Sequence, residues 1–369
     1  MHRRSRLAAV FVVLAATAAV LTLTNWSDGM GSAAKNPDPP SASIPLAVLG
    51  DSNSQSYQDY SWFPAESHER GGPRRSRTFQ WTEVLARVRG QEVDLGPWVR
   101  WGRPGVVARA REWIGLSGAR APEKQDYLYN FANSGAACKN LMGGRFRQAP
   151  RLVELMNEEP TRWVEGVVVI RIGANSWGGQ LNIQAKDPSA PEVLETLAFC
   201  TGEIRKAVEL IRASHPSTRI LLVGIANEAD DPGNSGEWRS AKATANIRTA
   251  LLNFNSAIRE LTAGDSRLAF FDDLAWFESR WGTRDASGMP AYKTFAVGPK
   301  LRITNTAGDE PNNLLLADHH VGLVANALWA QALVARLKDA FGLPLTPITD
   351  EEILRFLDPL VDGSTTPGS

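Results

Sequence analysis

The chain is predicted to fold as an α/β domain with a central five-stranded parallel sheet and helices on both faces. Three observations carry that prediction. Five apolar or β-branched runs of strand length, at 44–49, 127–132, 164–172, 219–226 and 268–271, are spread along the chain. Segments with apolar residues at helical spacing lie between them, such as 192–214 with Leu194, Leu197, Ile204, Val208 and Ile211 on one side. Several runs stop abruptly at small polar residues, as a buried strand does where it leaves the sheet. Strands that alternate with helices in this way form parallel sheets, because each crossover is made by a helix.

At the N-terminus, Arg3, Arg4 and Arg6 precede an apolar run from 7 to 24 that contains no acidic residue. A basic start followed by an apolar stretch is an export signal. The run is long for a signal peptide and near the lower limit for spanning a bilayer. Two fates stay open: a cleaved signal peptide, or an uncleaved membrane anchor with its arginines on the cytoplasmic side. Both put the body of the protein in an extracytoplasmic space. A proline-rich linker (36–43) follows, so residues 1–43 are read as leader and linker, 44–342 as one domain and 343–369 as a C-terminal tail, disordered after Pro359.

Within the domain, the first strand (44–49) runs into Gly50-Asp51-Ser52. Residues 57–78 form a polar loop in which Tyr57, Tyr60, Trp62 and Phe63 either line a cleft or pack the loop down. A helix is expected over 79–89, then an irregular, tryptophan-containing stretch to 126 that suggests an insertion. The second strand (127–132) ends in Asn133-Ser134-Gly135. A helix over 149–157 leads to the β-branched strand 164–172, which stops at Gly173-Ala174-Asn175. Helix 192–214, strand 219–226, helix 244–261 and strand 268–271 follow. Residues 276–310 are loop-rich, and a last helix spans 321–341.

Composition excludes some functions. Forty basic and 40 acidic residues balance to zero formal charge, and no long basic run follows the leader, so no nucleic-acid partner is expected. The two cysteines, Cys138 and Cys200, are candidates for one disulfide in an oxidising compartment. With five histidines they are too few to suggest a structural zinc site. A Gly-x-Ser-x-Gly nucleophile elbow, His-Glu-x-x-His and a phosphate-cradling glycine loop are all absent from the sequence.

What remains is a set of strand ends. In a parallel sheet, Gly50-Asp51-Ser52, Ser134-Gly135 and Gly173-Ala174-Asn175 fall on one edge, where open α/β sheets bind ligands. The backbone N–H groups of Ser52 and Gly135 and the side-chain amide of Asn175 would then supply three donors for a developing oxyanion. Ser52 is nearly inert alone and becomes a nucleophile only with a base in reach. Asp318-His319-His320, just before the last helix, offers imidazoles beside a carboxylate, as a serine nucleophile needs. Helix capping by Asp318 with two surface histidines is the plainer alternative.

These four segments, in this order, resemble the SGNH (GDSL) hydrolase family. Its blocks are a Gly-Asp-Ser strand end, a glycine after the second strand, a Gly-x-Asn turn and an Asp-x-x-His near the C-terminus. The resemblance covers about residues 44–342. It implies a flavodoxin-like three-layer α/β/α sandwich, serine esterase or lipase activity and no cofactor or metal. It places the nucleophile at Ser52 and the oxyanion donors at Ser52, Gly135 and Asn175. The last block departs from the pattern: Ala317, not aspartate, stands three residues before His320. His320 is taken as the base because Val321-Gly322-Leu323 and the helix continue as in the family, with His319 as the alternative. Asp318 orients His320 if the turn is one residue tighter than usual; otherwise a backbone carbonyl holds the imidazole. Expected substrates are small-molecule, lipid or acylated-glycan esters. Two rival readings are an O-acyltransferase of the same fold acting on a glycan and a catalytically silent glycan- or protein-binding module using the tryptophans at 98–113.

Overall fold

The computed structural model describes residues 43–113, 120–234, 236–299 and 301–361. The leader with its apolar run, most of the linker and the chain after 361 lie outside the described residues. Among the described residues no helix is long and apolar enough to cross a membrane.

Strand β1 (Ile44–Gly50) is buried along its whole length and pairs in parallel with β5 (Val167–Arg171). Beyond β5 lie β6 (Arg219–Val223) and β7 (Leu268–Phe271), also parallel. On its other side β1 pairs with β2 (Val93–Asp94), and the order β2-β1-β5-β6-β7 is that of the flavodoxin-like sheet. Side chains alternate between faces, as the two-residue period of a strand requires. Leu46, Val48, Val167, Val169, Leu221, Val223 and Phe271 pack beneath helices α1 (Trp81–Arg89) and α7 (Leu323–Phe341). Ala47, Leu49, Val168, Ile170, Ile220, Leu222 and Phe270 pack beneath α3 (Gln148–Met156), α4 (Pro191–Ser214) and α5 (Ala241–Glu260). The result is the three-layer sandwich that the motifs implied.

The second strand differs from expectation in an instructive way. The insertion splits it. The first two residues of β1 pair with β2, and further along only the segment around Asn130 takes the same edge, through a bridge between Val48 and Asn130. Val48 N–H donates to Tyr129 O (3.0 Å) and Phe131 N–H to Val48 O (2.7 Å). Between the two pieces, β3 (Trp98–Trp101) and β4 (Lys124–Tyr127) form an antiparallel hairpin, and helix α2 (Gly105–Trp113) leaves it. Lys124 and Asp126 are fully buried and paired at 2.9 Å, with Ser56, Asn130 and Ala132 O completing their hydrogen bonds.

The stretch 276–310, expected to be loop, holds the end of helix α6 (Asp273–Trp281) and the small strands β8 (Phe295–Val297) and β9 (Leu301–Ala307), joined by β10 (Asn313–Leu315). Past residue 342, where a tail was expected, helix α8 (Asp350–Val361) buries Ile353 and Leu357 completely against the core.

Candidate active site

The carboxyl ends of the strands lie in register: Gly50 opposite Arg171, Arg171 opposite Val223, and Val223 opposite Phe271. The residues that follow each strand therefore meet at one edge. Ser52 sits at the switch point between β1 and β5, where this fold opens a crevice. Gly50 is required there, since a Cβ would stand 2.5 Å from Arg171 O. The turn is held by Asp51, whose carboxylate accepts from Asn53 N–H at 2.9 Å and whose carbonyl accepts from Ser54 and Gln55. Gln148, reaching in from α3, both accepts from Gly50 N–H (2.9 Å) and donates to Gly50 O (2.8 Å). Arg171 donates to Asn53 O at 2.9 Å, pairs with Asp273 at 2.8 Å and stacks on Trp329.

Of the three residues predicted as donors, Ser52 and Asn175 line one cavity, whereas Gly135 does not border it and is linked to their segments through its neighbours Ser134 and Ala136. Neither the Ser52 nor the Gly135 backbone N–H has an acceptor among the described residues. Gly135 adopts a left-handed φ of 74°, and a Cβ on it would meet nothing within 4 Å, so open space lies beside its Cα. The Asn175 amide donates to Ala136 O at 2.9 Å, which uses one of its two hydrogens and ties the second and third segments together. Cys138 N–H donates to Ser176 Oγ (3.1 Å), and Cys138 is disulfide-bonded to Cys200 of α4. Gln55, three residues past Ser52, accepts from Ser134 N–H at 2.6 Å and donates to Asp59 at 2.7 Å. One side chain thus joins the Ser52 turn to the Gly135 turn.

The fourth segment forms a tight turn closed by Leu316 N–H to His320 O (2.6 Å) and His319 N–H to Leu316 O (2.9 Å). His319 has a left-handed φ of 63°, which sends the two adjacent imidazoles to different partners. His319 Nδ1 lies 2.8 Å from Asp231. His320 Nδ1 lies 3.0 Å from the Asp318 carbonyl and 3.3 Å from its carboxylate. Both sequence alternatives for holding the imidazole are therefore met at once. Ala317, where the family pattern would have aspartate, is exposed.

Arg70 was not legible in the sequence. It is 1% exposed, adopts a left-handed φ of 60°, and stacks its guanidinium over Phe63 at 4.1 Å. Its backbone N–H and Nη1 both donate to the Asp318 carboxylate, and Nη1 also stands 2.8 Å from His320 Nδ1. Partial burial opposes ionisation of Asp318, but the hydrogen bond to His320 and the charges of His320 and Arg70 outweigh it and hold the carboxyl far below the usual range. Of the aromatics in the 57–63 loop none lines the cavity: Tyr57 and Phe63 are buried against Arg70, with Tyr57 OH donating to Val321 O at 2.8 Å, while Tyr60 is exposed and meets Arg75.

Ser52, Asn175, His319 and His320 line one cavity of about 270 Å³. One wall is apolar (Trp276, Phe277, Leu314, Leu315) and the other is polar, built from the turn after β6 (Asn227, Glu228, Asp231). No tryptophan of the 98–113 segment borders it. Among the described residues no cluster of side chains suits a metal ion.

No family model matches the chain, and no curated protein matches it. Solved structures do. A lipase, Lip_vut3, from goat rumen metagenome matches with a TM-score of 0.40 at 15% identity, over 80% of this chain and 97% of that one. The extracellular lipase of Streptomyces rimosus matches at 0.37 and 16% identity, over 67% and 86%. A family 3 carbohydrate esterase of Clostridium thermocellum matches at 0.37 and 11% identity, over 81% and 98%. At these scores the likenesses carry no argument about activity, and the fold rests on its own strand order.

Proposed function

We propose that the chain is an exported serine hydrolase that cleaves a carboxylic ester through an acyl-serine intermediate. The observation that carries this reading is that Ser52, Asn175 and His320 line one cavity at the sheet edge. His320 Nε2 takes the Ser52 Oγ proton as the oxygen attacks the ester carbon. The N–H groups of Ser52 and Gly135, with the free amide hydrogen of Asn175, receive the oxyanion. His320 then protonates the departing alcohol, and water, activated by the same imidazole, releases the acid. This sequence needs the tautomer in which Nδ1–H donates to Asp318, leaving the Nε2 lone pair for the serine. Asp318 is the orienting group, shared between its carbonyl and its carboxylate.

The test is hydrolysis of p-nitrophenyl acetate by the protein and its Ser52→Ala variant. Turnover that disappears in the variant supports the reading, and equal rates reject it.

One observation favours a second reading. If Arg70 Nη1 donates to Nδ1, the imidazole carries its proton on Nε2 and cannot accept one from Ser52. A protein locked in that state would be a catalytically silent binding module. Nitrogen chemical shifts of the His320 ring distinguish the two tautomers directly.

A further inference from the structure

Glu228 follows β6 and lines the same cavity as Ser52. Its carboxyl rests on the segment that carries Asn175: a Cβ added to Gly178 would lie 1.8 Å from a Glu228 oxygen. A side chain at 178 would oblige the Glu228 carboxyl to move. The neighbouring side-chain amides point elsewhere. Asn227 Nδ2 donates to Asp230, and Asn234 Nδ2 to the Glu228 carbonyl, so no hydrogen-bond partner among the described residues meets the Glu228 carboxyl.

The charged groups facing it come from four directions. Asp51 lies on the turn after β1, and Asp231 is on Glu228's own loop. Across the cavity stand His319, paired with Asp231, and His320, held by Asp318 and Arg70. Arg171 and Asp273 at the floor are paired with each other. Asp230 is buried and closed by Thr283, Tyr292 and Arg284. The 174–180 segment, which packs directly against the carboxyl, has no titratable side chain. Glu228 therefore has two carboxylate neighbours and no cation of its own.

We infer that Glu228 works as a protonated carboxyl that donates a hydrogen bond to the bound ester, and that losing this proton shuts the site. The inference rests on the reading of Ser52 as the nucleophile. Its physical basis is the position of the unpartnered carboxyl in the cavity that Ser52 and Asn175 also line, against the segment that carries Asn175. A neutral O–H there can reach a substrate oxygen, whereas a carboxylate opposes the negative charge that develops in the same partly buried cavity. Burial, then the neighbouring Asp51 and Asp231, push the Glu228 carboxyl up to about 8, so the group is protonated at neutral pH. The substrates that fit are neutral esters bearing an acceptor oxygen near the scissile bond, because an anionic alcohol would meet Asp51 and Asp231 as well.

The experiment is the pH profile of kcat/KM for p-nitrophenyl acetate with the full chain. The wild type is expected to lose activity on the alkaline side with a midpoint near 8, where Glu228 ionises. Glu228→Gln, which keeps a neutral donor, is expected to lack that alkaline fall. Asp231→Asn removes one opposing carboxylate and is expected to move the fall to lower pH. An alkaline fall that persists unchanged in Glu228→Gln overturns the inference. A second readout needs no turnover: the infrared difference between wild type and Glu228→Gln at neutral pH should contain a protonated-carboxyl stretch. Carboxylate bands alone would overturn the inference even if Ser52-dependent hydrolysis is found. The protonated band without hydrolysis would uphold the state of Glu228 and reject the esterase reading instead.

Discussion

Replacing Asp318 by asparagine separates what its carboxylate does for folding from what it does for catalysis. In the native protein the carboxylate accepts from two Arg70 groups and lies 3.3 Å from His320 Nδ1, while the Asp318 carbonyl lies 3.0 Å from the same nitrogen. The variant keeps the carbonyl. What it loses toward His320 is one charge-assisted interaction, worth about 1.5–3 kcal/mol. At 1.36 kcal/mol per decade that is a fall in kcat of roughly 10- to 150-fold. A fully aligned triad aspartate costs about 10⁴-fold when replaced.

The stability cost has a different origin. Arg70 is 1% exposed, and the variant leaves it only the more distant Glu69 carboxylate at 3.9 Å, a loss of up to about 3 kcal/mol for a buried pair broken on one side. The sign of the pH dependence follows from the lowered Asp318 pKa. Its contribution is fully present above the unfolded value of about 3.9 and is lost only as pH falls through the much lower folded value. The gap between wild type and variant should thus be constant from mildly acidic to neutral pH. Urea denaturation at several pH values gives the stability difference, and initial rates on p-nitrophenyl acetate give kcat. A kcat loss near 10⁴-fold, or one below about twofold, would refute the shared-carbonyl geometry.

Other consequences are simpler to check. Gln55→Ala removes the link from the nucleophile turn to Ser134 N–H and should lower kcat by about 2- to 10-fold with little change in KM, as expected for a positioning hydrogen bond. An unchanged kcat would detach Gln55 from the site. His320→Ala should cost roughly 10²–10⁴-fold, the usual worth of a general base, and His319→Ala distinctly less. The reverse order would make the His319–Asp231 pair the working one. Reducing the Cys138–Cys200 bond, which closes a loop with a sequence separation of 62, should cost about 4 kcal/mol by loop entropy. Urea midpoints with and without reductant measure it, and coincident midpoints would contradict it.

How much of this could be read from the residues depended on local pattern. Strands β1, β5, β6 and β7 announce themselves because their burial is nearly continuous, and helix α4 by its periodicity, although Leu194, expected on its apolar side, is exposed and Val193, Thr201 and Glu203 are buried instead. The second sheet strand escaped because β2 has only two residues and its continuation pairs through a single bridge. Strand β4 was missed as a separate element because Lys124 and Asp126 occupy its buried positions, inverting the usual alternation. At the site, Ser52, Asn175 and the histidine pair could be singled out because each follows a strand or precedes a helix, and they line one cavity, which Gly135 does not. Arg70 and Glu228 were not. Arg70 is one of several arginines in a polar loop, and only its fully buried placement against Asp318 sets it apart. Glu228 acquires its environment from Gly178 and Asp51, which lie 50 and 177 positions away in the chain.

The central claim is that Ser52 is an activated nucleophile, and a fluorophosphonate tests it without knowledge of the substrate. Attack by Ser52 Oγ on phosphorus expels fluoride and leaves a stable phosphonyl ester. Peptide mass mapping should find one adduct, on the peptide containing Ser52, formed much more slowly in His320→Ala and absent from Ser52→Ala. Folded wild-type protein that stays unlabelled, or is labelled at another residue, would contradict the account.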